Sequence, residues 1–221
     1  MQAVFETLFD AAYLIFVITT GILILKKARG RKEFLLFGAM AAVLGCGDAF
    51  HLVPRMLALC TTGFDSYTAA LGIGKLVTSI TMTIFYVLLY YVWVSLYPSH
   101  NSRSLGWCVW ILAIVRIALC LFPQNDWLAK TEPLSWGIYR NIPFAILGIL
   151  MIVLFARTSG KEPASPFHWM WLAITLSFAF YIPVVLFAGT FPPIGMLMIP
   201  KTCAYIWIVC MGWNALKRTE A

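Results

Sequence analysis

The chain has 221 residues, of which 62% are hydrophobic and 11% are charged. Soluble domains are about 45–50% apolar and about 25% charged, so this composition excludes a water-soluble globular protein, which would have to expose large apolar patches. A helix crossing the hydrocarbon core of a bilayer needs about 20 mostly apolar residues. We therefore expect residues 1–221 to form one transmembrane domain with short loops and no separate soluble domain.

Seven apolar segments are separated by charged or turn-forming residues. They predict transmembrane helices at residues 4–25, 34–54, 69–97, 105–122, 139–156, 167–188 and 194–215. The predicted fold is an all-α bundle of seven transmembrane helices, each antiparallel to its neighbours in sequence. No basic stretch precedes the first apolar run, so we expect a retained helix there instead of a cleaved signal peptide.

The basic residues are distributed unequally between the two sides of this predicted bundle. One side holds ten of them, Lys26, Lys27, Arg29, Arg31, Lys32, Arg103, Arg157, Lys161, Lys217 and Arg218. The other side offers Lys130 and, at a helix boundary, Arg140. The positive-inside rule then predicts an external N-terminus and a cytoplasmic C-terminus. We expect the protein to lie in the cytoplasmic (plasma) membrane. Because the net charge of +7 lies in short loops, we expect membrane lipids and no nucleic acid as partners.

The six cysteines predict neither a metal centre nor a disulfide framework. They fall within or beside apolar runs, at positions 46, 60, 108, 120, 203 and 210, without a CxxC or Cys/His metal spacing. We interpret them as small buried hydrophobic residues and expect no cofactor and no metal.

Ionisable residues inside the predicted spans are the main functional signal, because each is unfavourable by about 2.5–3.5 kcal/mol at a helix centre. Asp48, His51 and Arg55 share one face of the second span. Basic residues lie in the outer half or middle of further spans. We predict that these spans contribute ligand-binding residues, namely Arg55, Lys75, Ser79, Arg116, Tyr181, Lys201 and Tyr205.

The predicted cations outnumber the acids available to neutralise them. Only Asp48 and the pair Glu6/Asp10 lie near enough in the sequence pattern. We infer a shared polar cavity open to the outer face, built on Asp48, His51, Lys75 and Lys201, that suits an anionic small molecule such as a phosphate or carboxylate. The alternative is a set of interhelical ion pairs, with Arg55 and Arg140 reaching the interface.

Two known kinds of seven-span protein fit poorly. Retinal proteins carry a lysine in the last span, as Lys201 does, but they need a carboxylate counter-ion nearby, and the third span has no acid. The residue one turn before Lys201 is Leu197. Zinc-dependent seven-span hydrolases need histidines in the last span, which has none. We favour neither class.

The stretch from Gly47 to Arg55, Gly-Asp-Ala-Phe-His-Leu-Val-Pro-Arg, resembles a Gly-Asp-Ala-x-x-Leu-x-Pro-Arg segment of the bacterial lysoplasmalogenase family. The resemblance implies a multi-span enzyme that hydrolyses the vinyl-ether bond of a lysophospholipid-like substrate. The Ser-His pair of that family is replaced here by Ser79-Ile80, and its later Ser-Asp pair by Ser177-Phe178. The resemblance implies Asp48 as the catalytic acid, with His51 positioning the water.

A second hypothesis is a non-enzymatic receptor or transporter for a small anionic metabolite or lipid. Prolines at positions 54, 143, 183 and 200 break regular helices and expose backbone groups to a site. No internal inverted repeat is visible, and few residues follow the last span, so a receptor needs a separate signalling partner.

Overall fold

The computed structural model describes residues 2–220, without the side chains of Gln2 and Pro192. It consists of seven long α-helices, and residues 2–220 contain no β-strand. The helices are α1 (Gln2–Lys27), α2 (Lys32–Cys60), α3 (Thr68–Leu96), α4 (Arg103–Leu121), α5 (Leu134–Arg157), α6 (Met170–Phe187) and α7 (Met198–Arg218). All seven are long and apolar enough to cross a membrane, which confirms the predicted all-α transmembrane bundle.

The predicted and observed helix ends differ most in the helices that contain or follow a proline. α2 continues through Pro54 to Cys60, so the predicted end at residue 54 was wrong. Proline is tolerated inside a transmembrane helix because neighbouring groups satisfy the freed backbone carbonyl. α7 begins later than predicted, since the preceding residues Pro192–Leu197 form a 3-10 turn.

The helices follow one another around the bundle in chain order, and α7 closes the ring against α1. α3 also contacts α5, and α2 contacts α7, so these helices meet in the interior. Glycines allow the closest of these approaches. Gly47 of α2 faces the side chain of Thr81, and Gly74 of α3 abuts the backbone carbonyl of Phe50. We refer to the end where α1 begins as the N-terminal side of the bundle.

Aromatic side chains fill the centre, while large aliphatic side chains such as Ile114 and Ile149 face outward, as expected for helices in contact with lipid. Rings from α3, α5, α6 and α7 pack against each other with centroids 5.0–5.7 Å apart, and most of the pairs are edge-to-face. The cluster consists of Phe85, Tyr86, Phe144, Phe178 and Tyr205. Arg116 and Lys201 lie against rings of this cluster.

Candidate functional site

A rim of ion pairs lies on the N-terminal side. Glu132, in the connection between α4 and α5, accepts hydrogen bonds from Lys75 Nζ at 2.9 Å and from Arg140 Nη2 at 2.6 Å. Arg140 Nη1 also donates to Asn125 Oδ1 at 2.8 Å. Lys75 therefore pairs with a loop acid, with 49% of its side chain exposed. Lys75 therefore lies on the rim and not in the predicted cavity beside Asp48, because the loop residue Glu132 is its counter-ion.

A second rim contact joins α1 to α2. Arg55 pairs with Glu6, and Arg55 Nε donates to Glu6 Oε1 at 2.6 Å. The Arg55 side chain also lies over the ring of Phe64. Arg55 thus has a local acidic partner, as the interhelical alternative expected.

Asp48 and His51 lie on the same helix but contact different neighbours. Three residues of α-helix turn by about 300°, which leaves His51 about 60° away from Asp48 around the axis. His51 Nδ1 lies 3.4 Å from the backbone oxygen of Leu71 in α3, whereas Asp48 Oδ2 accepts a hydrogen bond of 2.6 Å from Tyr13 in α1. The two predicted catalytic residues share no hydrogen bond.

Asp48 and Lys201 face each other in the interior without a close contact. Their opposite charges attract each other, yet the two side chains form no ion pair within 4.0 Å. Both side chains are half-buried. The Lys201 ammonium lies 4.8 Å from the centre of the Tyr181 ring and 5.5 Å from that of Tyr205.

Arg116 of α4 is the most unusual polar residue of the interior. Its side chain is 2% exposed, and its Nε and Nη1 atoms have no hydrogen-bond acceptor among residues 2–220. The guanidinium lies on the Phe144 ring, 3.3 Å from the centroid. Titratable side chains near it include Tyr181, Cys120, Tyr205 and Tyr86, none of which is a carboxylate.

Further polar groups from other helices surround these cations. Tyr181 donates a hydrogen bond of 2.9 Å to Asn141 Oδ1. The buried hydroxyl of Tyr86 has no hydrogen-bond partner among the described residues. Asp10 of α1 is 6% exposed and close enough to Asp48 for their charges to interact. We define the interior site as Asp10, Tyr13, Asp48, Tyr86, Arg116, Tyr181, Lys201 and Tyr205.

Four of the predicted site residues thus lie outside the interior site. Arg55 and Lys75 belong to the rim, and His51 turns toward α3. Ser79 lies beside Cys120 of α4. Tyr13 and Tyr86 were missed because a tyrosine in a transmembrane protein is most often an interfacial anchor. The spacing of Tyr13 from Asp10, one helical turn on the same face, was the available signal.

A shallow surface pocket of about 270 Å³ lies elsewhere, lined by Ala118, Leu121, Phe122 and Pro123. Its lining is almost entirely apolar and faces outward from α4, so it offers no polar chemistry. Among residues 2–220, no group of three or more His, Cys, Asp or Glu side chains could hold a metal ion. The side chains of the interior site offer charge pairing and hydrogen bonding.

The interior site contains two cations that lack a close counter-ion among the residues that the structure describes. Arg116 lacks an anion, and Lys201 has only a distant one in Asp48. Such an arrangement can accept a negatively charged group between two cations. Comparison with protein-family models, curated proteins and solved structures finds no match to this chain.

Proposed function

We propose that this protein binds a small organic anion at the interior site and acts as a membrane receptor or transporter for it. The observation that carries the proposal is the buried, unpaired guanidinium of Arg116. Its Nε and Nη1 donors lack any acceptor within the described chain. A carboxylate or phosphate would supply such acceptors, since both match the forked donors of arginine.

The energetic balance at Arg116 supports a missing ligand. A desolvated cation–π contact, such as that with Phe144, stabilises by about 2 kcal/mol. Removing an ion from water is unfavourable by several kcal/mol even after relaxation of the protein. The contact with Phe144 therefore offsets only part of the unfavourable term, and a bound anion would offset the remainder.

Lys201 gives the proposed anion a second contact. Its ammonium makes no hydrogen bond or ion pair with the described residues, and the charge of Arg116 acts on it. The two positive charges repel each other, and an anion between them would remove this repulsion. The flanking rings of Tyr181 and Tyr205 favour a ligand that also has an apolar part.

Transport is supported by prolines within the helices around the site. Pro54, Pro143 and Pro183 lie inside α2, α5 and α6. A proline inside a continuous helix removes one backbone hydrogen bond and can bend the helix. Such bends would permit one part of the bundle to move against another. A receptor would use the same binding step and pass the change to a partner protein.

Thermal stabilisation of the purified protein in detergent tests this function. Inorganic phosphate, short-chain and aromatic carboxylates and glycerophosphate would each be titrated against it. We expect at least one anion to raise the unfolding temperature in the wild-type protein and not in Arg116→Gln or Lys201→Gln. Lys75→Gln is the matched control, since Lys75 pairs with Glu132 on the rim, and it should respond like the wild type. No stabilisation by any of these anions, or equal stabilisation of all variants, would count against the proposal.

The vinyl-ether hydrolase implied by the sequence resemblance is the second candidate. It is supported by the 2.6 Å hydrogen bond between Tyr13 and Asp48, which puts a proton donor beside the proposed catalytic carboxyl group. The separate contacts of Asp48 and His51 give it less support than the binding function. Release of fatty aldehyde from a lysoplasmalogen, abolished in Asp48→Asn, would favour the enzyme. Without aldehyde release, the binding function would be preferred.

A further inference from the structure

The charges of the interior site balance one another when it holds no ligand. Arg116 and Lys201 are the cations, and Asp10 and Asp48 are the acids. Charged and titratable groups also face the two acids from the surrounding helices: Glu6 and Tyr13 of α1, Arg55 of α2, and Tyr205 of α7. Glu6 and Arg55 neutralise one another as an ion pair. The arrival of an anion would leave the interior with an excess negative charge.

Asp48 is the acid that this excess affects most directly. Among residues 2–220 it is the one acid whose charge acts on Lys201, and an anion bound to Lys201 would compete with it. Asp10 already lies near enough for its charge to interact with that of Asp48. Tyr13 can remain hydrogen-bonded whether Asp48 is charged or neutral, because a hydroxyl both donates and accepts.

We propose that anion binding is coupled to the uptake of one proton by Asp48. The inference rests on the proposed anion-binding function. The bound anion replaces Asp48 as the counter-ion of Lys201, and Asp48 accepts a proton from a hydronium ion of the aqueous phase. One O–H bond forms on Asp48 as one breaks in hydronium, which leaves water, and the total charge of the interior is unchanged. The reason is that an unbalanced charge is strongly unfavourable in a membrane interior.

The proposed coupling predicts the direction in which the affinity for the anion changes with pH. When binding requires one extra proton, affinity rises by about tenfold for each unit by which the pH falls, over the range in which the carboxyl group is ionised in the free protein. The linkage is reciprocal, so adding the anion removes about one proton per site from solution. In a transporter this coupling would make the protein a symporter of the anion and a proton.

The experiment measures the affinity of the best anion from the thermal-stabilisation series between about pH 8 and about pH 5. The wild-type protein should show the roughly tenfold dependence, and Asp48→Asn should bind with little dependence on pH, since its amide is permanently neutral. Asp48→Glu should keep the dependence. Asp65→Asn is the control, because Asp65 pairs with Lys130 on the surface, and it should behave like the wild type.

Proton uptake by the wild-type protein is a second measurement that does not depend on any variant folding. An indicator dye in weakly buffered detergent solution should report about one proton taken up per anion bound. Binding that is independent of pH, or a dependence that persists in Asp48→Asn, overturns the coupling and leaves anion binding intact. Absence of binding at every pH overturns both proposals.

Discussion

Arg116 and Phe144 form the closest contact between a cation and an aromatic ring in the described part of the chain, with 3.3 Å between the guanidinium carbon and the ring centroid. Arg140 has a similar contact, 4.2 Å from the Trp127 ring, but it also pairs with Glu132. Both arginines therefore contact an aromatic ring, but only Arg140 also pairs with an acid. On our proposal, this difference separates a residue that stabilises the fold from one that binds a ligand.

The first prediction concerns the stability of the protein without ligand. Replacing a buried ion pair by apolar residues of similar volume is often neutral or stabilising, by about 1–4 kcal/mol, and a buried ion without a partner is less favourable still. Arg116→Met should therefore raise the free energy of unfolding. Arg140→Met should lower it by about 1.5–3 kcal/mol, because hydrogen bonds to charged groups are lost. Chemical or thermal unfolding in the same detergent measures both, and an equal loss in the two variants would make Arg116 a structural residue.

The second prediction concerns the hydrogen bond between Tyr13 and Asp48. Tyr13 is 2% exposed, and its hydroxyl is 2.6 Å from Asp48 Oδ2. Tyr13→Phe should lower the free energy of unfolding by about 1.5–3 kcal/mol, since a buried carboxylate loses its donor. Tyr139→Phe is the control, because Tyr139 is 51% exposed, and it should change stability by less than about 0.5 kcal/mol. If both variants unfold at the same temperature, this hydrogen bond contributes nothing to stability.

The third prediction concerns the packing of α2 against α3. A β-carbon added at Gly74 would meet the backbone carbonyl of Phe50, which cannot move without displacing the helix. Gly74→Ala should lower the free energy of unfolding by about 1–3 kcal/mol. A β-carbon at Gly137 in α5 would meet no heavy atom within 4 Å. Gly137→Ala should leave stability unchanged or raise it by up to about 1 kcal/mol, since alanine favours the helix. An unaffected Gly74→Ala variant would contradict the close approach of α2 and α3.

The fourth prediction concerns orientation in the membrane. The ten basic residues on one side predict a cytoplasmic C-terminus and an external N-terminus. A green fluorescent protein fused after residue 221 of the protein expressed in bacteria should fluoresce, and an alkaline phosphatase fusion at the same place should be inactive. Fusions after Pro123, between α4 and α5, should give the opposite result. The reverse pattern would invert the topology.

The sequence by itself determined that there are seven helices and where most of them lie, because each span must be apolar over the thickness of a bilayer. It also identified Arg116 and Lys201 as functional candidates, since ionisable groups inside a span are unfavourable without a partner or a cavity. Helix ends near Pro54 and Met198 were less predictable. Neighbouring helices and a 3-10 turn decide them, and neither is encoded in local hydrophobicity.

Only the tertiary structure decided which charged residues meet. Glu132 neutralises Lys75 across 57 positions of sequence, and Tyr13 contacts Asp48 across 35. Asp48 and His51 share one face of α2, yet Asp48 contacts α1 and His51 contacts α3. Partner choice depends on the positions and rotations of whole helices in the bundle, and these follow from side-chain packing between elements that are distant in the chain. The hydrophobic pattern of each span is the same whichever partner its polar residues find.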